Sequence, residues 1–221
     1  MKILCIDTSS NLCSIAILED TTLISKLELD NGLTHSETLM PLINKIFTEN
    51  NINLNDIDLL VSDIGPGSFT GIRIGVATCK AFSDSLDIPC IGVSSLEALA
   101  YNIKNDSLIC SSINCKNDNC YFALYKLNNG IYNVLEVPCI KPVSEVLDLL
   151  NTKYYNNFIN FVGNGIPSKS KDIYINIENL GIAGFKKFIN NKNNGENILP
   201  LYLKKPQAQI QLEEKENCEH N

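Results

Sequence analysis

Asp7 closes a short apolar run, residues 3–6, and opens the polar cluster Thr8-Ser9-Ser10-Asn11. A carboxylate at the end of a strand can hold a magnesium-bound water, and hydroxyls beside it can donate to a phosphate. The same cluster suits a tight turn in which Asp7 and Ser9 bond their own backbone. The residue types leave these two readings level. A second candidate is Gly65-Pro66-Gly67-Ser68-Phe69-Thr70-Gly71, followed by Ile72-Arg73. It lacks the lysine of a Walker loop, and its glycine spacing of 2 and 4 does not match a dinucleotide fingerprint. It still leads from an apolar strand into a helix, and amides at a helix N-terminus favour anions. Gly67, Ser68 and Arg73 are therefore candidate anion contacts, together with Asp7, Thr8 and Ser9. A rival use of the glycines is close packing. Gly71, Gly75 and Cys79 are small, four apart, and share one helix face.

His35 is one of two histidines, the other being His220 in the tail. A metal pair on a helix needs His at i and i+4, and that position is Leu39. No G-x-S-x-G elbow accompanies His35, so a serine-hydrolase triad has no support. His35 reads as a residue that orders a helix entry. The nine cysteines are scattered, and the densest set, Cys110, Cys115 and Cys120, is evenly spaced rather than grouped in knuckles. They read as reduced, buried small hydrophobes.

These residues need elements to carry them. In 221 residues the pattern opens with three short strands, 2–7, 12–18 and 22–29, joined by turns. Leu39, Leu42, Ile43, Ile46 and Phe47 then form a helical stripe, with Ser36 as the expected N-cap. Residues 57–64 read as a buried strand, 72–85 as a helix, 88–93 as a strand, and "SSLEALAYNI" as a third helix. Residues 1–103 thus predict a mixed five-stranded sheet with helices over it. From 107 a second meander begins, followed by a helix after Pro142 and a strand at 158–162. Two like halves predict a duplicated α/β fold with a cleft between them. Between 166 and 199 the signals are weak, with "AGFKKFI" reading as part of a helix, and the last fifteen residues are polar, acidic and expected to fray.

A net charge of −7, with no basic run stronger than "GFKKF" or "YLKKP", argues against nucleic-acid binding as the chain's own task. No apolar run approaches the ~18 residues of a membrane span. The opening run is too short for a signal peptide, so a cytoplasmic location is expected.

In order along the chain, "ILCIDTS", "THSETLMPLI", "GPGSFTGIRIG", "GVSSLEAL", "FVGNG" and "LPLYLKKPQA" resemble the bacterial TsaB family. The resemblance implies an actin-like ATPase fold of two duplicated subdomains, here 1–103 and a reduced one at 104–206, before an acidic tail at 207–221. It also implies a role in tRNA threonylcarbamoyladenosine synthesis. TsaB proteins are non-catalytic paralogues of TsaD and act as scaffold and activator. They work with TsaD and the ATPase TsaE, and meet tRNA only through the complex. Leu39 stands where TsaD-like proteins have the second histidine of a metal pair.

The resemblance further implies that helices 36–50 and 71–85 form the contact with TsaD, and a homodimer when the chain is alone. The residues expected in that contact are Leu39, Leu42, Ile43, Ile46, Phe69, Gly71, Gly75 and Cys79. No cofactor is expected to be required and no metal to be bound, with weak ATP or ADP binding left open. The alternative is a stand-alone actin-fold ATPase or phosphotransferase. It would need a second phosphate loop, and only Gly163-Asn164-Gly165 is available for it.

Overall fold

Strands this short, broken by polar turns, bury their faces only by pairing. In the computed structural model of the chain they form β1 (Lys2–Asp7), β2 (Cys13–Glu19) and β3 (Thr22–Leu29), all antiparallel. The structure describes residues 1–30, 32–169, 174–192 and 194–204. Two parallel strands, β4 (Leu59–Asp63) and β5 (Cys90–Val93), extend the sheet through α1 (His35–Asn50) and α2 (Phe69–Leu86). The order β3-β2-β1-β4-β5 is the mixed five-stranded sheet expected. All of β4 is buried, as a parallel strand covered on both faces must be.

The N-cap of α1 is Thr34 and not Ser36. Thr34 and Glu37 form a capping box in which Glu37 accepts the Thr34 N–H at 3.0 Å. The helix begins two residues early because only Thr34 has a glutamate three residues on.

The second half builds β6 (Ser107–Asn114), β7 (Asn119–Asn128) and β8 (Ile131–Pro142), then α4 (Val143–Lys153) and β9 (Ile159–Gly163). Its order, β8-β7-β6-β9, repeats the start of the first sheet, with β6 in the place of β1. The likeness extends to the strand ends. Asp7 Oδ1 accepts the N–H of Ser9, and Asn114 Oδ1 accepts that of Lys116, each two residues on. Gly67 lies against the Ser9 carbonyl, and Gly163 against that of Ser112. The fold is the duplicated α/β arrangement that the sequence pattern predicts, and the actin-like one that the family resemblance implies.

The second half does not keep everything after residue 104. The helix after the weak stretch, α5 (Ile177–Asn190), packs on the first sheet, and the short α3 (Ser95–Ala100) lies between α5 and the second sheet. Leu180 and Ala183 join Ile3, Cys5 and Val61 in one core cluster. A Cβ on Gly181 would stand 2.6 Å from Cys5 Sγ, and one on Gly184 2.5 Å from Val61, so the helix can lie this close only with glycine there. Residues 194–202 then run along β5. Glu196 N–H donates to the Cys90 carbonyl at 2.7 Å, and Leu201 N–H to that of Ile64 at 2.7 Å. This strap covers an edge strand that would otherwise be open. The stretch of weak signals thus contains a helix that packs on the first sheet. The expected frayed tail, 207–221, lies outside the described residues.

All eight described cysteines are free, and all but Cys139 are buried, as small hydrophobes are. Among the described residues, no helix is long and apolar enough to cross a membrane.

Candidate functional site

Parallel strands deliver their side chains to a common end, and here β1 and β4 end on carboxylates. The register pairs Ile6 with Ser62, which sets Asp7 beside Asp63. Both are buried. Asp7 takes the Ser9 N–H at 2.8 Å. Asp63 takes the Gly65 N–H at 2.6 Å and the Ser95 hydroxyl at 2.8 Å. Burial holds both carboxyls above the usual carboxylate range, and for Asp63 the Asp7 charge adds to the burial.

Asp63 was not singled out in the sequence, because it reads as the end of an apolar strand. A lone acid closing a buried run, as Asp7 does, is the signal that could have found it.

A carboxyl whose folded pKa is raised binds its proton more tightly folded than unfolded. Its contribution to stability is therefore fullest at low pH and falls as pH rises from the unfolded value through the folded one. Asp63→Asn should raise Tm at pH 7.5, by about 2–4 °C for each kcal/mol relieved, and do little at pH 4. Thermal melts at the two pH values check this; an equal or negative shift at pH 7.5 would contradict it.

The glycine loop docks directly on the β1–β2 turn. Ser68 N–H donates to the Ser9 carbonyl at 2.6 Å, and the Thr8 hydroxyl to that of Gly71 at 2.7 Å. Ser68 caps α2 through the Gly71 N–H at 3.2 Å. His35 Nε2 lies 2.7 Å from the Ser10 carbonyl, so Nε2 carries the proton, and His35 ties the entry of α1 to the same turn. The amides of Ser9, Gly65, Ser68 and Gly71 are thus engaged within the protein. Close packing accounts for Gly67, Gly71 and Gly75, where an added Cβ would stand 2.5 Å or less from an oxygen atom of Thr8 or Ser9.

The structure brings Asp7, Thr8, Ser9, Gly67 and Ser68 together. Ser9, Gly67 and Ser68 line an open cleft of about 550 Å³ between the halves, with Asp30, Asn114 and Tyr174 across it. Arg73 is not with them. Its guanidinium lies on the Phe69 ring, 3.8 Å from the centroid, and Nε donates to Tyr202 Oη at 2.6 Å. The only charged residue among the described ones lining the cleft is Asp30. A polyphosphate there would face the Asp30 carboxylate and no cation among the described lining residues. Nor do the described residues include a group of three or more His, Cys, Asp or Glu that could hold a metal ion.

Of the eight residues expected at a partner contact, only Phe69 is exposed. Leu39, Leu42, Ile43, Ile46 and Cys79 lie in the core beneath α1 and α2, with Leu39 only 1% exposed. Gly71 and Gly75 face the β1–β2 turn and β1. The helical stripe is the face that the protein's own sheet takes. What α1 and α2 turn outward is different. Leu33, before α1, is 59% exposed and Met40 is 49% exposed. Leu33, Ser36, Thr70 and half-buried Ile74 line one groove between the helices.

The family model described as "TsaD: tRNA N6-adenosine threonylcarbamoyltransferase" matches residues 32–174, more than half of the chain. The tRNA threonylcarbamoyladenosine biosynthesis protein TsaB of Bacillus subtilis is 38% identical over 132 residues, 59% of this chain and 58% of that protein. TsaB of Escherichia coli is 33% identical over 144 residues, covering 63% and 62%. The chain thus spans about three-fifths of the length of these curated relatives. The solved structure of YeaZ from Pseudomonas aeruginosa superposes with a TM-score of 0.75 at 23% identity, covering 91% of this chain and 99% of that one, a likeness of fold. The fold and these matches define a member of the TsaD-type threonylcarbamoyltransferase family. Within it, the chain belongs to the TsaB family.

Proposed function

We propose that this chain is the non-catalytic subunit of a tRNA threonylcarbamoyladenosine synthesis complex in the cytoplasm. It pairs with a TsaD-type partner through the outward faces of α1 and α2, and with TsaE through that complex. Threonylcarbamoyl transfer to the adenosine beside the anticodon takes place on the partner. Alone, the chain pairs with a second copy through the same face. The observation that carries the reading is the groove between α1 and α2, lined by exposed Leu33 and half-buried Ile74 among polar residues, with Met40 exposed nearby on α1, on two helices whose buried faces are already occupied. The relatives named for threonylcarbamoyladenosine biosynthesis supply the pathway.

The same site disfavours chemistry by this chain alone. Leu39 offers no ligand atom and points into the core. His35 Nε2 is spent on a backbone carbonyl. With a net charge of −7, tRNA is held by the assembly and not by this subunit.

The pure chain should hydrolyse ATP no faster than buffer and form a stoichiometric complex when mixed with the TsaD-type protein of the same organism, measured by phosphate release and by light scattering on a sizing column. Steady ATP turnover without a partner would favour the stand-alone ATPase. Absence of a complex would overturn the proposal.

A further inference from the structure

The chain has a single arginine among its 18 basic residues, and the structure builds a frame around it. Arg73 lies one turn into α2, on the exposed side of the helix. Its guanidinium lies over the Phe69 ring at 3.8 Å and beside the Tyr202 ring at 5.4 Å. The two rings themselves stand 5.1 Å apart. Nε is spent on Tyr202 Oη at 2.6 Å. Tyr202 is in turn fixed by the strap, whose neighbour Leu201 is bonded to Ile64. None of the ion pairs among the described residues involves Arg73.

This arrangement selects one mode of recognition. A guanidinium binds a carboxylate side-on, through Nε and one Nη, or end-on, through both Nη atoms. The Tyr202 hydroxyl takes Nε and so blocks the side-on mode. The end-on fork remains, held flat by the aromatic contacts and already stripped of much of its rotamer freedom. Phe69 at 36% and Tyr202 at 46% exposure leave apolar ring surface around the fork. Aromatic residues and arginine are the types enriched at interface anchors.

We propose that Arg73, framed by Phe69 and Tyr202, is the anchor of the partner interface. It receives one Asp or Glu carboxylate of the partner protein end-on. This rests on the pairing proposed above and names its chemistry. The strap then has a second task beyond covering β5, because it carries the hydroxyl that orients the fork.

The test is titration calorimetry of the full chain against the TsaD-type protein, with melting curves for every variant. Arg73→Lys keeps the charge and loses the fork, and Arg73→Gln loses both. Each should weaken the complex about 10- to 100-fold, Gln more than Lys, with Tm within about 1 °C of the parent. Tyr202→Phe keeps the ring and frees Nε, and should weaken it less than either. Replacing the partner's exposed acidic residues one at a time by Lys should yield one that restores binding to Arg73→Glu. Parent-like affinity of Arg73→Lys and Arg73→Gln would overturn the proposal while leaving the pairing intact. So would protection of the complex from these changes together with binding of inorganic phosphate at Arg73, which would make the fork a phosphate site. Failure of the unaltered chain to bind would overturn both readings.

Discussion

Gly71→Ala should destabilise the protein by about 3 kcal/mol or more, although it replaces glycine by alanine inside a helix. Propensity alone predicts the opposite, a gain of about 1 kcal/mol. The sign is set by space. An added Cβ at Gly71 would stand 2.0 Å from the Thr8 carbonyl oxygen and 2.9 Å from His35 Cδ2. The first is a backbone atom of the β1–β2 turn, and it cannot move without breaking the Thr8–Gly71 and Ser68–Ser9 bonds. Overpacking against flexible side chains typically costs ~1–3 kcal/mol, and a rigid backbone neighbour sets the cost at the top of that range or above. In a chain of 221 residues, 3 kcal/mol is a fall in Tm of roughly 6–12 °C. Gly75→Ala should cost less, because its nearest neighbour is the Thr8 hydroxyl at 2.5 Å, a side-chain atom. Melting curves for both variants check the order. A Gly71→Ala protein as stable as its parent would mean that the loop does not dock on the turn.

Met40→Glu should abolish pairing with the TsaD-type partner while leaving the fold alone. Met40 is 49% exposed on α1, one turn on from Ser36 at the groove. In the free chain the new carboxylate stays in water, so Tm should move by no more than about 0.5 kcal/mol in equivalent terms. In the complex it would be buried against an apolar surface without a partner. That costs about 3 kcal/mol or more, over 100-fold in Kd. Self-association should fall with it, since both assemblies would use one face. Leu39→Ala, one residue away, should behave in the opposite way. Leu39 is 1% exposed in the core, so its truncation should cost roughly 2–5 kcal/mol of stability and change pairing only through unfolding. Calorimetry and melting on the same preparations separate the two faces. Unchanged affinity in Met40→Glu would remove the interface from α1.

This contrast also shows what could be read from the sequence. The stripe Leu39, Leu42, Ile43, Ile46 and the small-residue row Gly71, Gly75, Cys79 were visible as faces, and both faces exist. Periodicity reports that a helix buries one side; it does not report against what. The protein's own sheet has first claim on such a stripe, and the partner face must be sought among residues off it, such as Met40. The first sheet was legible because its strands alternate or run apolar between clear turns, and the bounds of β3 match the expected 22–29. The helix α5 was legible only in part, at "AGFKKFI", because Gly181 and Gly184 lower its helical signal. They are there for close approach to Cys5 and Val61, a tertiary reason that no local pattern carries. Its return to the first sheet was hidden for the same reason. In the candidate site, Asp7 was legible as the end of a strand, while Asp63 was masked by the apolar run around it.

The central claim is that this chain enables threonylcarbamoyl transfer without performing it. Reconstitution with the TsaD-type protein, TsaE, unmodified tRNA and threonylcarbamoyl-adenylate, with and without this chain, tests it most directly when modified adenosine is counted. The account predicts modification only when the chain is present, none by the chain with tRNA and donor alone, and loss of its effect in Met40→Glu. Equal modification with and without the chain, or modification by the chain in the absence of the TsaD-type protein, would contradict it.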